Sequence, residues 1–240
     1  MSSIRFVTRF SALAIASAAF IATAADAGNG VEFQLSVDGG GPFIFNPDGT
    51  PVGGDVYNYQ GDLFDVGFSL SWDLNAKADP FVSGNIVIVN TGLVTSTYSL
   101  TILLPVNPSI LPNSVMGGSV GGSLTTDLDG GALSSVGNTP VWEALIDGNV
   151  VASLLNNPFS VGKAGAGSVG IGPESFGNPI PSMVGPGVNS TIGIRLTFSL
   201  TAGEQASFSS VFVVEAVPAP AGLAVLGLAG IAGGRRRRRA

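Results

Sequence analysis

Several short strings in this 240-residue chain have the residue types and spacing of catalytic motifs. Residues 117–121 read GGSVG and fit G-x-S-x-G, the turn that presents a nucleophilic serine in many hydrolases. That chemistry requires a base that takes the serine proton, ordinarily a histidine, and the sequence contains no histidine. The string also lies in glycine-rich sequence with no helix expected after it. We therefore interpret Ser119 as a strand or turn residue without a catalytic role.

Two further strings imitate functional motifs. Ser160 and Lys163 have the S-x-x-K spacing in which a lysine can serve as the base, but the companion elements of that motif are missing. Residues 165–170 read GAGSVG and match G-x-G-x-x-G, which binds a dinucleotide only between a strand and a helix. Pro173 would end such a helix at once. We predict a flexible glycine loop here and no catalytic residue in the chain.

Pairs of carboxylates are the remaining candidates, because glycoside hydrolysis needs only two. The local pairs are Asp62 with Asp65, Asp127 with Asp129, and Glu143 with Asp147. Their neighbours are typical of turns and strand ends, where Asp hydrogen-bonds its own backbone.

Asp127 and Asp129 place oxygen ligands at alternate positions, as a calcium loop does. Glycine follows too early, however, and no glutamate closes the loop. They are a weak calcium candidate, and we predict neither a bound metal nor a cofactor. Trp72 and Trp142 could stack on a sugar, although Trp72 belongs to an apolar strand face.

The composition limits the function classes further. The absence of cysteine excludes thiol catalysis, cysteine–zinc sites and iron–sulfur clusters. The whole chain has a formal charge of −6, but most basic residues lie in its two ends. The body keeps Lys77, Lys163 and Arg195 against fifteen acidic residues, a net charge near −12. Such a body repels nucleic acid, so we expect no nucleic-acid partner.

Alternation of apolar and polar residues predicts β-strands over most of the body. The alternating segments are 31–37, 64–72, 98–104 and 192–200. Continuous apolar runs at 86–89 and 211–214 predict central strands buried on both faces. Asp147-Gly148, between 142–146 and 150–154, predicts a hairpin.

The remaining sequence of the body gives fewer signals of secondary structure. Residues 156–189 are rich in Gly, Pro and Ser and predict long loops or a loosely structured insert. No internal repeat and no long helical segment is present between the ends. The predicted fold class is all-β, with one loosely immunoglobulin-like β-sandwich over residues 28–216.

The N-terminus has the pattern of a secretory signal peptide. Arg5 and Arg9 precede an apolar segment at 10–22, and small residues follow. We predict a signal peptide over residues 1–27, cleaved after Ala24 or Ala27.

The C-terminus combines a proline element, an apolar segment and an arginine cluster. The element is Val217, Pro218, Ala219 and Pro220, and its prolines must end the preceding strand. Residues 221–234 are almost wholly apolar and predict a single transmembrane helix, but at about 1.5 Å per residue it is only about 21 Å long. The hydrocarbon core is about 30 Å thick, so the anchor is marginal. By the positive-inside rule the terminal cluster would stay in the cytoplasm; it consists of Arg235, Arg236, Arg237, Arg238 and Arg239.

A marginal anchor beside a proline element suits a segment that is removed. A permanent membrane anchor and a disordered basic tail are the alternatives. With the signal peptide and β-rich body, residues 217–239 resemble the sorting tail of bacterial PEP-CTERM proteins. The resemblance covers about a tenth of the chain, and Ala219 stands where the family usually has glutamate; tails with a P-A-P element are familiar in it.

The resemblance implies processing by an exosortase, a membrane-embedded enzyme similar to cysteine transpeptidases, which cuts near the proline element. The expected partners are signal peptidase, the exosortase, the inner membrane as a transient location, and an exopolysaccharide. We therefore expect an exported, non-enzymatic protein of the cell surface or extracellular matrix. A carbohydrate- or calcium-binding adhesion module is the alternative, and a carboxylate-based glycan hydrolase is the least favoured class.

Overall fold

Between residues 30 and 217, the part of the chain that the computed structural model describes, the protein consists of sixteen β-strands and has no helix. The strands, in chain order, are β1 Glu32–Val37, β2 Phe43–Phe45, β3 Thr50–Gly53, β4 Val56–Asp65, β5 Phe68–Lys77, β6 Phe81–Asn90, β7 Ser96–Pro105, β8 Ile110–Thr126, β9 Gly131–Ser134, β10 Trp142–Ile146, β11 Asn149–Leu154, β12 Ser160–Lys163, β13 Gly167–Phe176, β14 Met183–Val188, β15 Thr191–Leu200 and β16 Gln205–Ala216. The predicted signal peptide and residues 218–240 of the predicted tail lie outside the described residues.

The strands form two antiparallel sheets of eight strands each. The first sheet has the order β11-β10-β15-β7-β1-β2, and β9 joins β15 to β12. The second has the order β13-β8-β16-β6-β5-β4-β3, and β14 pairs with the first half of β8. The predicted all-β fold with a β-sandwich architecture is confirmed.

The core lies between the two sheets because each strand turns its apolar side inward. Aromatic rings pack across the gap: Phe33 of β1 lies 5.2 Å from Trp72 of β5, between ring centroids. Phe198 of β15 lies 5.1 Å from Phe208 of β16. Each fully buried large apolar side chain stabilises the fold by about 1.5–3 kcal/mol. This core holds the sheets together in a chain without disulfides.

Several sequence predictions are confirmed. Strands β1, β7 and β15 cover the alternating segments 31–37, 98–104 and 192–200. Asp147 and Gly148 form the turn between β10 and β11, with φ of 49° and 78°. Positive φ at both turn residues is what a hairpin of this length favours.

The prediction of one strand over 64–72 is wrong. Asp65 pairs with Phe68, so Val66 and Gly67 form a tight turn between β4 and β5. Gly67 has a φ of 97°, which favours glycine. Phe64 and Val66 are consequently exposed, with 76 % and 97 % of their surface accessible. The apolar alternation continued through the turn and concealed it.

The prediction of long loops over 156–189 is also wrong. Most of this segment forms β12, β13 and β14. β13 and β14 both pair with β8, which is seventeen residues long and therefore accommodates two strands along one edge. Only one β13 side chain, that of Ile171, is buried, so the segment lacks the apolar pattern of an inner strand.

The apolar runs at 86–89 and 211–214 lie in β6 and β16, which are interior strands of the second sheet, as predicted. Their predicted burial on both faces is wrong. Ile86, Ile88 and Phe212 are buried, whereas Val87 and Val211 on the outer face are only half-buried. The reason is that the sandwich has two layers, and nothing in the described part of the chain covers this outer face.

The sandwich has two ends that carry different features. At the tail end, where β16 finishes, lie the β7–β8 loop (106–109) and the β5–β6 turn (78–80). At the far end lie the turn at 66–67, the β6–β7 loop (91–95) and the β15–β16 turn (201–204). The far end is held by Asn90, whose buried side-chain amide donates to the carbonyls of Val94 and Leu200, 2.9 Å away in both cases.

Candidate functional site

The predicted sorting element begins where the last strand stops. β16 ends at Ala216, and Val217 directly after it is 46 % exposed. Pro218, Ala219, Pro220 and the arginine cluster lie outside the described residues. No ladder pair involves Val217, since Ala216, opposite Ser114, is the last paired residue. The element is therefore attached to the folded body without an intervening strand.

The string GGSVG at 117–121 lies within β8, in the interior of the second sheet. Packing requires the glycine at position 118 of this string. A Cβ at Gly118 would lie 2.7 Å from the Phe176 ring and 3.1 Å from the Trp142 ring, so only glycine leaves room for both. Ser119 is in a straight run of ladder pairs, not on a sharp turn between a strand and a helix.

The other two strings are also structural. Ser160 and Lys163 are the two ends of the short strand β12. The predicted flexible glycine loop at 165–170 is wrong for its last four residues, because β13 begins at Gly167.

Neither tryptophan is an exposed stacking platform. Trp142 is fully buried, and its indole nitrogen donates to the Ser210 hydroxyl over 2.6 Å. Trp72 is partly buried and packs against the rings of Phe33 and Phe45, which stack on each other, with centroid distances of 5.2 and 5.3 Å.

The structure does not bring Glu143 and Asp147 together as a catalytic pair. Glu143 forms an ion pair with Arg195, which lies on the adjacent strand β15; its Oε2 is 2.5 Å from the Arg195 guanidinium nitrogen. Asp147 accepts hydrogen bonds from the backbone amides of Asn189, Ser190 and Thr191, at 2.8–3.0 Å. The Asp147 carboxylate thus fixes the β10–β11 turn to the start of β15.

The Asp147 contact gives a prediction for stability. Partial burial alone would raise the pKa of Asp147, but hydrogen bonds from three backbone amides and one hydroxyl outweigh it and lower the pKa to about 2. Asp147→Ala should lower the free energy of unfolding by about 2–4 kcal/mol at neutral pH. Because the folded-state pKa is depressed, this contribution is present above about pH 4 and is lost as the pH falls through about 2.

Urea unfolding of wild type and Asp147→Ala at several pH values measures that difference. Asp62→Ala, which removes an exposed carboxylate, is the control and should change little. A difference between wild type and Asp147→Ala that does not shrink in acid would contradict the assignment.

The weak calcium candidate at 127–130 forms a tight turn, called here the acidic turn. The amide of Gly130 donates to the carbonyl of Asp127, and the amide of Asp129 donates to the Asp127 carboxylate over 2.9 Å. One oxygen of Asp127 is thus engaged inside the turn. The other, Oδ2, faces the β15–β16 turn, 3.1 Å from where a Cβ of Gly203 would lie.

Glu204, in the β15–β16 turn, is the residue that the sequence interpretation missed. It is fully buried, and neither carboxylate oxygen has a hydrogen-bond partner among the described residues. Burial raises the pKa of Glu204; the backbone amide of Asp127, whose contact falls outside ordinary hydrogen-bond geometry, opposes that shift, and the Asp127 charge adds to it. A single glutamate after Thr-Ala-Gly carries no sequence signal, because only the sheet topology brings it beside Asp127.

A cleft of about 530 Å³ opens at the tail end, between the two sheets. It is lined by polar and aromatic side chains together with Leu104 from the first sheet. The polar and aromatic lining residues are Asp55, Tyr57, Tyr59, Lys77, Asp79 and Asn107.

Comparison with known proteins adds no identity. No protein-family model matches the chain, and no curated protein matches it. Within residues 30–217 there is no helix with the length and hydrophobicity that a membrane span requires. In the same part of the chain, no three Asp, Glu, His or Cys side chains come close enough together to hold a metal ion.

Proposed function

We propose that this chain is an exported, non-enzymatic protein of the cell surface or extracellular matrix, sorted through its C-terminal tail by an exosortase. The observation that carries the proposal is the tail itself: a proline element, an apolar segment at 221–234 and five terminal arginines. The signal peptide proposed at residues 1–27 supplies export. The β-sandwich body is then the cargo that the tail delivers.

The proposed mechanism assigns one task to each part of the tail. The apolar segment forms a helix that holds the chain in the inner membrane, because a helix satisfies every backbone group internally. The arginines remain on the cytoplasmic side and fix the orientation. The element from Val217 to Pro220 presents extended backbone for cleavage, since proline biases its neighbour away from helix.

The fold supports this proposal in one respect. β16 ends at Ala216 at the tail end, and Val217 is half-exposed directly beyond it. A membrane-embedded enzyme could therefore reach the proline element without unfolding the last strand. The loosely immunoglobulin-like type of the sandwich remains a further proposal about the body.

Intact mass spectrometry of the surface form tests the proposal. We expect a chain that starts after Ala24 or Ala27 and ends near residues 218–221, because cleavage at the proline element removes the apolar segment and the arginines. The precursor that accumulates in cells without the exosortase is the control, and it should retain the full tail.

A surface form that still carries Arg235 to Arg239 would show a permanent anchor and would refute exosortase processing. A mature form cut inside the apolar segment would refute the assignment of the proline element.

A carbohydrate-binding adhesion module is the second candidate function. The cleft at the tail end favours it, because Tyr57 offers a ring and Asp55 and Asn107 offer hydrogen-bonding groups in one concave site. Binding and turnover of a panel of polysaccharides separate the classes. Binding without turnover supports the adhesion module, and turnover supports a hydrolase. The absence of both binding and turnover supports a structural protein.

A further inference from the structure

Within residues 30–217, no positively charged side chain pairs with the neighbouring carboxylates of Glu204 and Asp127. The Glu204 carboxylate is fully buried and has no hydrogen bond of ordinary geometry within the described residues, and Asp127 turns its Oδ2 toward the β15–β16 turn that carries Glu204. Removing a carboxylate from water without compensation costs several kcal/mol, and a neighbouring like charge adds to the cost. The charge is removed either by a proton, which a raised pKa favours, or by a cation that binds the carboxylate.

No basic side chain of the body supplies it. Lys77 pairs with Asp79, and Arg195 pairs with Glu143. Lys163 forms no ion pair within residues 30–217; its side chain runs toward Gly167. Those three are the only basic residues between the two ends of the sequence. A cation that compensates Glu204 would therefore come from outside this part of the chain.

The oxygens around Glu204 are of the type that a hard cation prefers. A Cβ at Gly131 would lie 2.6 Å from the Glu204 carboxyl carbon and 2.4 Å from the Thr201 hydroxyl, so the glycine makes room for both groups. Asp127 contributes Oδ2 from the facing turn. Ca²⁺ takes six to eight oxygen ligands and accepts backbone carbonyls and water among them, so two carboxylates can form a weak site.

We propose that Glu204 and Asp127 form a divalent-cation site, of the oxygen-ligand class that Ca²⁺ occupies, which joins the β15–β16 turn to the acidic turn. Glu204 is the closing glutamate that the sequence at 127–130 lacks. With two carboxylates and no third acidic ligand, the expected dissociation constant is on the order of 10⁻⁴–10⁻³ M, the range of extracellular calcium modules. The site is independent of the tail and of exosortase sorting.

Calcium titration of the purified full chain, kept in mild detergent, tests the site. In about 10 mM CaCl₂ the melting temperature should rise by about 3–10 °C over the value in EGTA, because a ligand that binds only the folded state stabilises it. Equilibrium dialysis with radioactive Ca²⁺ should show one bound ion. MgCl₂ at the same concentration should shift the melting temperature less, since Mg²⁺ demands a smaller and more regular site.

Three variants assign the residues. Glu204→Gln should abolish the calcium-dependent shift and should raise the melting temperature in EGTA, because it removes the uncompensated buried charge. Asp127→Asn should weaken the shift and remains informative if Glu204→Gln does not fold. Glu215→Gln makes the same chemical change at an exposed residue and should retain the full shift.

Two results would overturn the proposal. Wild type that binds no Ca²⁺, and whose stability in EGTA and in CaCl₂ falls equally as the pH rises, would show that a proton alone neutralises Glu204. A calcium-dependent shift that survives in both Glu204→Gln and Asp127→Asn would place the ion elsewhere.

Discussion

Replacing Gly122 by alanine is expected to lower the free energy of unfolding by about 3 kcal/mol or more. Gly122 lies in β8 opposite Phe208 of β16. A Cβ at this position would lie 1.9 Å from the carbonyl oxygen of Ser207, which is a backbone atom. β16 is paired with β6 on its other edge, so it cannot retreat from β8 without disturbing a second ladder. Urea unfolding followed by tryptophan fluorescence measures the change.

The neighbouring residue provides a matched control. A Cβ at Gly121 would meet its nearest atoms at 3.6 Å, which is ordinary van der Waals contact. Gly121→Ala should therefore change the free energy of unfolding by less than about 1 kcal/mol. Equal unfolding midpoints for the two alanine variants would show that β8 and β16 do not approach each other as closely as these contacts require.

The sequence predicts strands well where one face is buried along their whole length. β15 alternates without a fault from Ile192 to Leu200, and its inward side chains are all buried between the sheets. Successive side chains of a strand point to opposite faces of the sheet, and only one face of β15 is buried. The alternation of apolar and polar residues therefore predicts the strand directly.

The errors occur where backbone pairing does not depend on that pattern. β13 forms a ladder along β8 although Ile171 is its only buried side chain, because the hydrogen bonds of an edge strand need no apolar face. The sequence pattern did not predict the turn at Val66, because the apolar residues keep their two-residue period through it.

The candidate cation site could not be predicted from local sequence at all. Asp127 and Glu204 belong to different turns, and only the order β13-β8-β16, with the hairpin from β15 to β16, places them together. What the sequence does contain is half of the site, the acidic turn. The proposed sorting element differs in this respect, because the resemblance rests on contiguous residues, 217–239, and requires no tertiary structure.

Deleting residues 217–240 is expected to release the body from the cell envelope or to leave it mislocalised. The deletion removes the apolar segment and all five arginines but no residue of the sixteen strands described, because β16 ends at Ala216. The five Leu, Val and Ile residues of the fourteen-residue segment contribute about 1.5–3 kcal/mol to its partitioning into a membrane, which exceeds the ~1.4 kcal/mol that changes an equilibrium tenfold. The membrane-bound and surface fractions should therefore fall by more than about tenfold, as measured by cell fractionation and immunoblotting.

Two controls separate sorting from folding. The truncated body should melt within a few degrees of the processed body, since neither loses a strand; a large drop would attribute the mislocalisation to unfolding. A full-length variant with serines in place of Arg235 to Arg239 keeps the apolar segment and removes only the cytoplasmic charges. If orientation depends on those charges, this variant should also fail to reach the surface, because the positive-inside signal is lost. Unchanged localisation of the truncated chain would defeat the sorting function of the tail, whatever the arginine variant does.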